Sequence, residues 1–291
     1  MKIGIIGFPV ADVDVREVAR AVEALGFESL FYPEHTHIPA TRESAFPATE
    51  DGSLPEVYLR NLDPFVALGA AAAVTTELVL GTGVCLVAQR DPFVTAKAVA
   101  TLDQLSHGRF VLGVGGGWNV EEMENHGVPR KRRWAVVEEH VRAMKALWTQ
   151  DEASFHGAFV GFDRVWSWPT PVQRPHPPIL IGGNASRTFD RVVDYGDGWI
   201  PAVDHELAPV LERIDALGRR CDADGVGRRA VTLAYGPLRA PTPGELAAIA
   251  AAGVERCLLP LPDLPAGASL EHLRELARRA RGELGSLNAA G

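Results

Sequence analysis

A short β-type run, Ser29–Tyr32, leads into Pro33 and then Glu34-His35-Thr36-His37. One carboxylate and two imidazoles thus stand together where a strand should end. Histidine exchanges protons near neutral pH or binds a metal, and a neighbouring carboxylate suits either use. His-x-His can hold one ion, but a metal site needs further ligands from other strand ends. The other predicted strand ends are poor in them, with only Asp204 and His205 to help. Acid–base chemistry is therefore the better expectation for His35 and Glu34, and no metal is expected.

Three further places concentrate glycine. Leu80-Gly81-Thr82-Gly83-Val84-Cys85 interrupts a β-branched run, which marks a bulge or a close ligand. Gly113-Val114-Gly115-Gly116-Gly117-Trp118-Asn119 follows a strand, but it is not a G-x-G-x-x-G fingerprint, because Trp118 stands at the third glycine position. Consecutive glycines are costly in chain entropy, so close approach of a planar ligand competes with a plain tight turn as their reason. Ile181-Gly182-Gly183-Asn184-Ala185-Ser186-Arg187-Thr188 opens a helix. Asn184 or Ser186 can cap that helix, its free N–H groups favour an anion, and Arg187 adds charge.

Eight β-type runs position these groups: Lys2–Phe8, Ser29–Tyr32, Leu78–Leu86, Phe110–Val114, Pro178–Ile181, Gly198–Pro201, Ala230–Tyr235 and Arg256–Leu259. Amphipathic stretches alternate with them. In Arg16–Leu25, Ala19, Val22 and Leu25 share a face; in Trp134–Trp148, Val137, Val141, Met144 and Trp148 do. Nearly continuous apolar strands separated by helices imply a parallel sheet buried on both faces. Eight such units predict a (β/α)8 TIM barrel, with catalytic groups at the strands' carboxyl ends. An open doubly wound sheet is the alternative. The chain reads as one domain over 1–291 with long insertions at about 37–61 and 153–177. The first should overhang the catalytic face; the second lies at the opposite face or wraps the side.

Composition removes several function classes. The chain has 291 residues, 46% hydrophobic, and a net charge of −8, which gives nucleic acid or an acidic membrane no electrostatic support. Arg130-Lys131-Arg132-Arg133 reads as a solvated loop or helix start. Cys85, Cys221 and Cys257 lack metal-ligand spacing, and the amino-terminal apolar run is too short for a signal peptide. A cytoplasmic protein is expected.

Taken in order, these motifs resemble the luciferase-like flavin/deazaflavin barrel family, most of all its F420-dependent oxidoreductase branch. Gly26-Phe27-Glu28-Ser29-Leu30 running to Pro33-Glu34-His35 carries the resemblance, as do Leu80–Val84 and Gly113–Asn119. Ala96–Asp103 with Ser106-His107-Gly108-Arg109, and Pro177–Gly183 followed by Asp197-Gly198-Trp199, complete it. The resemblance implies F420, or alternatively FMN, lying across the strand ends. It further implies a non-prolyl cis bond at Gly83-Val84 behind the ring, with Thr82 beside it. Gly115, Gly116, Gly117 and Asn119 would line the cofactor, and Gly182, Gly183, Ser186 and Arg187 would hold its phosphate region. His35 would manage a proton during hydride transfer to or from a small organic molecule. Glu34 would either orient the imidazole or face away into a salt bridge.

A homodimer is implied as well. Trp118 stands where some members place a carboxylate donor, so their sugar-phosphate substrate is not expected here. Arg42, Tyr58 and Arg60 in the first insertion are candidate substrate contacts, as is His37. Trp166 and Trp168 in the second either cover substrate or pack on the barrel wall, and packing is expected for at least one. A metal-dependent hydrolase and a cofactor-binding barrel without turnover are the readings from other classes.

Overall fold

The computed structural model describes residues 1–285. Eight parallel strands close into a barrel in the order β1 (Lys2–Gly7), β2 (Ser29–Tyr32), β3 (Val79–Thr82), β4 (Phe110–Val114), β7 (Ile179–Gly182), β8 (Gly198–Ile200), β10 (Ala230–Tyr235) and β11 (Arg256–Leu261). Closure is between β11 and β1, where Lys2 to Gly7 pair in register with Arg256 to Leu261. A two-residue strand, β9 (Ala202–Val203), extends β8 along β10.

Side chains alternate between two apolar layers, as period-2 strands require. Ile6, Phe31, Val79, Val111, Leu180, Ile200, Ala234 and Leu258, one from each barrel strand, fill the interior. The opposite faces pack against the surrounding helices, α1 (Val15–Ala24) and α5 (Arg133–Thr149) among them. Aspartates set several helix starts. Asp63 accepts from Phe65 N and Val66 N at 2.9 and 3.0 Å to cap α2 (Pro64–Ala72). Asp91 accepts from Val94 N at 2.9 Å to cap α3 (Pro92–Leu105). In both, proline follows the cap, where its missing N–H costs nothing.

All eight predicted runs are strands, with one instructive departure. The run expected over Leu78–Leu86 stops as a regular strand at Thr82. The Gly83–Val84 peptide bond is cis, and pairing resumes at Cys85, which bridges to Val114. The chain bulges between them. Glycines opposite make room: a Cβ on Gly113 would lie 2.1 Å from the Thr82 carbonyl oxygen, and one on Gly115 would lie 2.4 Å from Val84 Cγ2.

The first insertion folds over the barrel mouth, with Val10, Phe46, Val57 and Tyr58 forming a small core that Trp118 joins. The second contains a hairpin, β5 (Ala153–His156) with β6 (Gly161–Val165), which the sequence reading missed. It wraps the side of the barrel. The fully buried Asp103 on α3 accepts from Val172 N at 2.6 Å, Gln173 N at 2.9 Å and Gln173 Nε2 at 2.7 Å. Trp166 and Trp168 are 75% and 59% exposed. The packing expected for at least one of them is not found, because the segment leaving the hairpin carries them on its outer side. Among the described residues, no helix is long and apolar enough to cross a membrane.

Gly113→Ala forces the new methyl against the rigid Thr82 carbonyl. Overpacking of this kind costs about 1–3 kcal/mol. Urea denaturation is expected to show that loss, and wild-type stability would mean β3 and β4 do not approach this closely.

Candidate active site

Residues just beyond all eight strand ends line one cavity of about 320 Å³. That is within the range of small-molecule sites, about 300–1,000 Å³. Its floor holds Gly83, Val84, Gly115, Gly116, Gly117, Gly182 and Gly183, and the first insertion contributes Phe46 and Tyr58 to its cover.

His35 lies in the wall with its ring 6% exposed. Its partner is a residue that the sequence reading did not single out. Nδ1 lies 2.7 Å from Oε2 of Glu122, a carboxylate with no solvent exposure. Trp118 Nε1–H donates to His35 Nε2 at 3.2 Å. An indole nitrogen only donates, so Nε2 must carry the lone pair and Nδ1 the proton that Glu122 accepts. The second Glu122 oxygen accepts from Thr36 N at 3.2 Å. A buried imidazole with its tautomer fixed by a carboxylate is the arrangement that general acid–base chemistry uses.

Glu122 reaches this position through a short helix, α4 (Val120–Asn125). Asn119 caps it by accepting from Glu122 N at 3.1 Å. Ser44 Oγ accepts from Val120 N at 3.0 Å, and Glu121 accepts from Ser44 N and Glu43 N at 3.1 and 2.6 Å. The hydrogen bonds with Ser44 and Glu43 lower the Glu121 carboxyl to about 2. The insertion over the mouth is thereby tied to the helix that carries Glu122.

Glu34, paired with His35 from sequence, does a different job. Its carboxylate faces the bulge, accepting from Leu86 N at 2.7 Å and forming an ion pair with Arg90. Arg90 in turn reaches Asp63 at 2.5 Å. Burial opposes the Arg90 charge most strongly, yet Glu34, Cys85 and Asp63 together outweigh it and raise the group further above its ordinary value. Glu34 therefore takes the salt-bridge alternative, because successive residues leaving a strand point to opposite sides.

Other expected site residues divide as sharply. Thr82 is fully buried, donates to the Gly113 carbonyl at 2.8 Å and does not reach the cavity. Asn119 is buried as a helix cap and lies behind the wall rather than in it. Ser186 and Arg187 stand on the exposed turn before α6 (Thr188–Asp194), outside the cavity lining. Only Gly182 and Gly183 of that group reach it. His37 hydrogen bonds with Thr36 Oγ1 at 3.0 Å and Asn125 Nδ2 at 3.0 Å, away from the cavity. Arg60 pairs with Asp12 and Asp263, each at 2.5 Å, and Arg42 stacks over Trp118 at 5.6 Å; neither enters the cavity lining. Tyr58 does line the cavity, with its ring 5.4 Å from that of His35. Among the described residues, no three or more His, Cys, Asp or Glu groups gather as metal ligands.

Asp204 completes the inventory of charged groups in the wall. Burial raises its carboxyl above the ordinary aspartate range, with His205 opposing weakly. The ionised form is thus disfavoured by the fold. Below the unfolded-state value both states are protonated and nothing is lost; as pH rises through the raised folded value, the charge destabilises the protein. Asp204→Asn is expected to raise the melting temperature at neutral pH and to lose that advantage in acid. A gain that persists unchanged in acid would contradict this. By contrast, Arg90→Ala leaves the buried Glu34 unpaired and is expected to cost about 3–5 kcal/mol in chemical denaturation; a loss below 1 kcal/mol would remove Glu34 from that role.

The geometry can be set beside known proteins. A family model described as luciferase-like monooxygenase matches residues 12–283. An uncharacterized protein of Mycobacterium tuberculosis, Rv0953c, is 42% identical over 264 residues, covering 90% of this chain and 92% of that one. The FMNH2-dependent dimethylsulfone monooxygenase of Pseudomonas putida is 32% identical over 163 residues, 55% of this chain and 45% of that enzyme. Among solved structures, the monooxygenase RslO1 of Streptomyces bottropensis superposes with a TM-score of 0.77 at 20% identity, covering 98% of each chain. An F420-dependent secondary alcohol dehydrogenase in complex with an F420-acetone adduct does so with a TM-score of 0.73 at 17% identity, covering 96% of this chain and 99% of that one. With a closed barrel, a cavity built on all eight strand ends and a family model spanning nearly the whole chain, this protein belongs to the luciferase-like monooxygenase family.

Proposed function

We propose that this chain is an F420-dependent oxidoreductase that moves a hydride between the deazaflavin and a small organic molecule, with His35 handling the accompanying proton. The observation that carries the reading is the buried His35–Glu122 pair opening onto an apolar cavity. Known relatives of the fold include both F420-dependent and FMN-dependent enzymes.

The cavity suits a flat cofactor. Val84 projects between Gly115 and Gly182, where a Cβ would lie 2.4 and 3.0 Å from its methyl groups, so the floor carries backbone rather than side chains. Gly115 to Gly117 and Gly182 to Gly183 would hold the ring and the start of its phosphorylated arm. Once bound, the deazaflavin supplies a two-electron hydride carrier.

The protein's own residues supply the rest. With Nδ1–H held by Glu122, His35 Nε2 is the atom that accepts a proton from a substrate hydroxyl, or returns one to a carbonyl oxygen in the reverse direction. The Glu122 carboxylate stabilises the imidazolium formed in between. Trp118 N–H, which now occupies Nε2, is placed to turn toward the substrate oxygen when substrate takes that position. Phe46 and Tyr58 shield the pair from water.

A second reading, an FMN-dependent monooxygenase, is favoured by the similarity to the FMNH2-dependent sulfone monooxygenase. Fluorescence titration of the protein with F420 and with FMN separates the two; F420 binding is expected, and tight FMN binding without F420 binding would overturn the leading reading. His35→Ala is expected to lower kcat by about 10²–10⁴-fold, the usual worth of a general acid–base group. Cofactor affinity should stay within about threefold, since the imidazole is not part of the glycine floor. Unchanged turnover would remove the proton role.

A further inference from the structure

The cavity wall is chemically one-sided. Among the described residues that line it, none is lysine or arginine. Of its two carboxylates, Glu34 is consumed by Arg90 and Leu86 N. Tyr235 turns its hydroxyl away to Glu245 at 3.1 Å. Among the described residues, Asp204 alone of these carboxylates has no hydrogen bond or ion pair, and Ile200, Pro201, Ala202 and Pro237 line the same stretch of wall. Gly236 makes space for it, since a Cβ there would lie 2.3 Å from Asp204 Oδ1.

Strand order fixes where this carboxylate stands. His35 follows β2, and Asp204 follows β8 and its short extension β9. In an eight-strand ring running β1, β2, β3, β4, β7, β8, β10, β11, those positions are diametrically opposite. The proton-handling imidazole and the unpaired carboxylate therefore line the same cavity from opposite strand ends, with Tyr58 beside His35 and close enough to Asp204 for that charge to raise its hydroxyl, after burial, above the ordinary tyrosine value.

We propose that Asp204 is the docking point for a cationic amine on the substrate, so that the site takes apolar amines in preference to apolar carboxylates. An uncompensated carboxylate in an apolar wall is unfavourable by itself. A substrate ammonium group would neutralise it, while a negatively charged group would meet repulsion with no lysine or arginine in the wall to offset it. The oxidisable carbon would then lie toward His35, the length of the molecule being set by the span between the two groups. This substrate class rests on the oxidoreductase reading above, but the charge preference can be tested without turnover.

The probes are benzylamine, benzyl alcohol and benzoate, which share a ring and differ in charge. Calorimetric titration of the wild type and of Asp204→Asn, each with and without bound F420, reads the preference. A charge-assisted hydrogen bond corresponds to roughly a 10- to 100-fold change in affinity. Benzylamine is expected to bind at least about tenfold more tightly than benzoate to the wild type. Asp204→Asn should shrink that gap below about threefold while F420 affinity stays within about threefold of wild type. Equal binding of amine and acid by the wild type, or a preference that survives Asp204→Asn, would overturn the proposal. A tenfold loss of F420 affinity in the variant would overturn it too, by assigning Asp204 to the cofactor. Failure of the wild type to bind F420 counts against the oxidoreductase reading alone, because the comparison on the cofactor-free protein still decides the amine preference.

Discussion

A carboxylate shut away from solvent has to be paired, and Glu122 meets that requirement through the segment that follows β2. One of its oxygens takes the His35 Nδ1 proton and the other the Thr36 N–H. That demand fixes the imidazole tautomer, the direction of the chain leaving the strand and the position of the short helix behind it. The helix itself holds its place through Asn119 and Ser44. Replacing water around an ion by so few partners is tolerable only when each is well placed. Precision in the site is therefore a by-product of satisfying a buried charge.

A second buried carboxylate, one residue before His35, organises the other half of the site. Glu34 grips Arg90 and the Leu86 N–H on the far side of the bulge and so sets where Val84 projects. The glycines ending β4 and β7 leave room for that projection. Adjacent residues at one strand end thus serve two neighbours, Glu34 the bulge beyond β3 and His35 the helix beyond β4. The result is a cavity whose floor is nearly free of side chains and whose wall holds one imidazole of fixed tautomer.

The barrel strands are legible in the sequence because each is buried on both faces and reads as a continuous apolar run. The hairpin in the second insertion is not, since Gly161–Val165 is largely exposed and carries Asp163 and Arg164 within it. His35 is legible from its place after a strand. Glu122 is hidden inside Glu121-Glu122-Met123-Glu124, which looks like the solvated face of a helix. The available signal is Asn119, a good cap three residues before a glutamate, which marks Glu122 as part of a helix's first turn close to the end of β4. Asn119 and Thr82 carry the right residue types beside the glycine runs, but hydrogen bonding to the backbone draws both away from the cavity. The motifs at Ala96–Asp103 and Ser106–Arg109, which carry much of the resemblance, turn out to be structural: Asp103 latches the second insertion, and Arg109 donates to the Leu78 carbonyl at 2.6 Å.

The protonation of His35 tests the account most directly. Long-range proton–nitrogen NMR on histidine-labelled protein, assigned by comparison with His35→Gln, reports which ring nitrogen carries the proton in the neutral form. The structure requires protonated Nδ1 facing Glu122 and unprotonated Nε2 accepting from the Trp118 indole N–H. A His35 signal showing the proton on Nε2 would contradict the pairing on which the site is built.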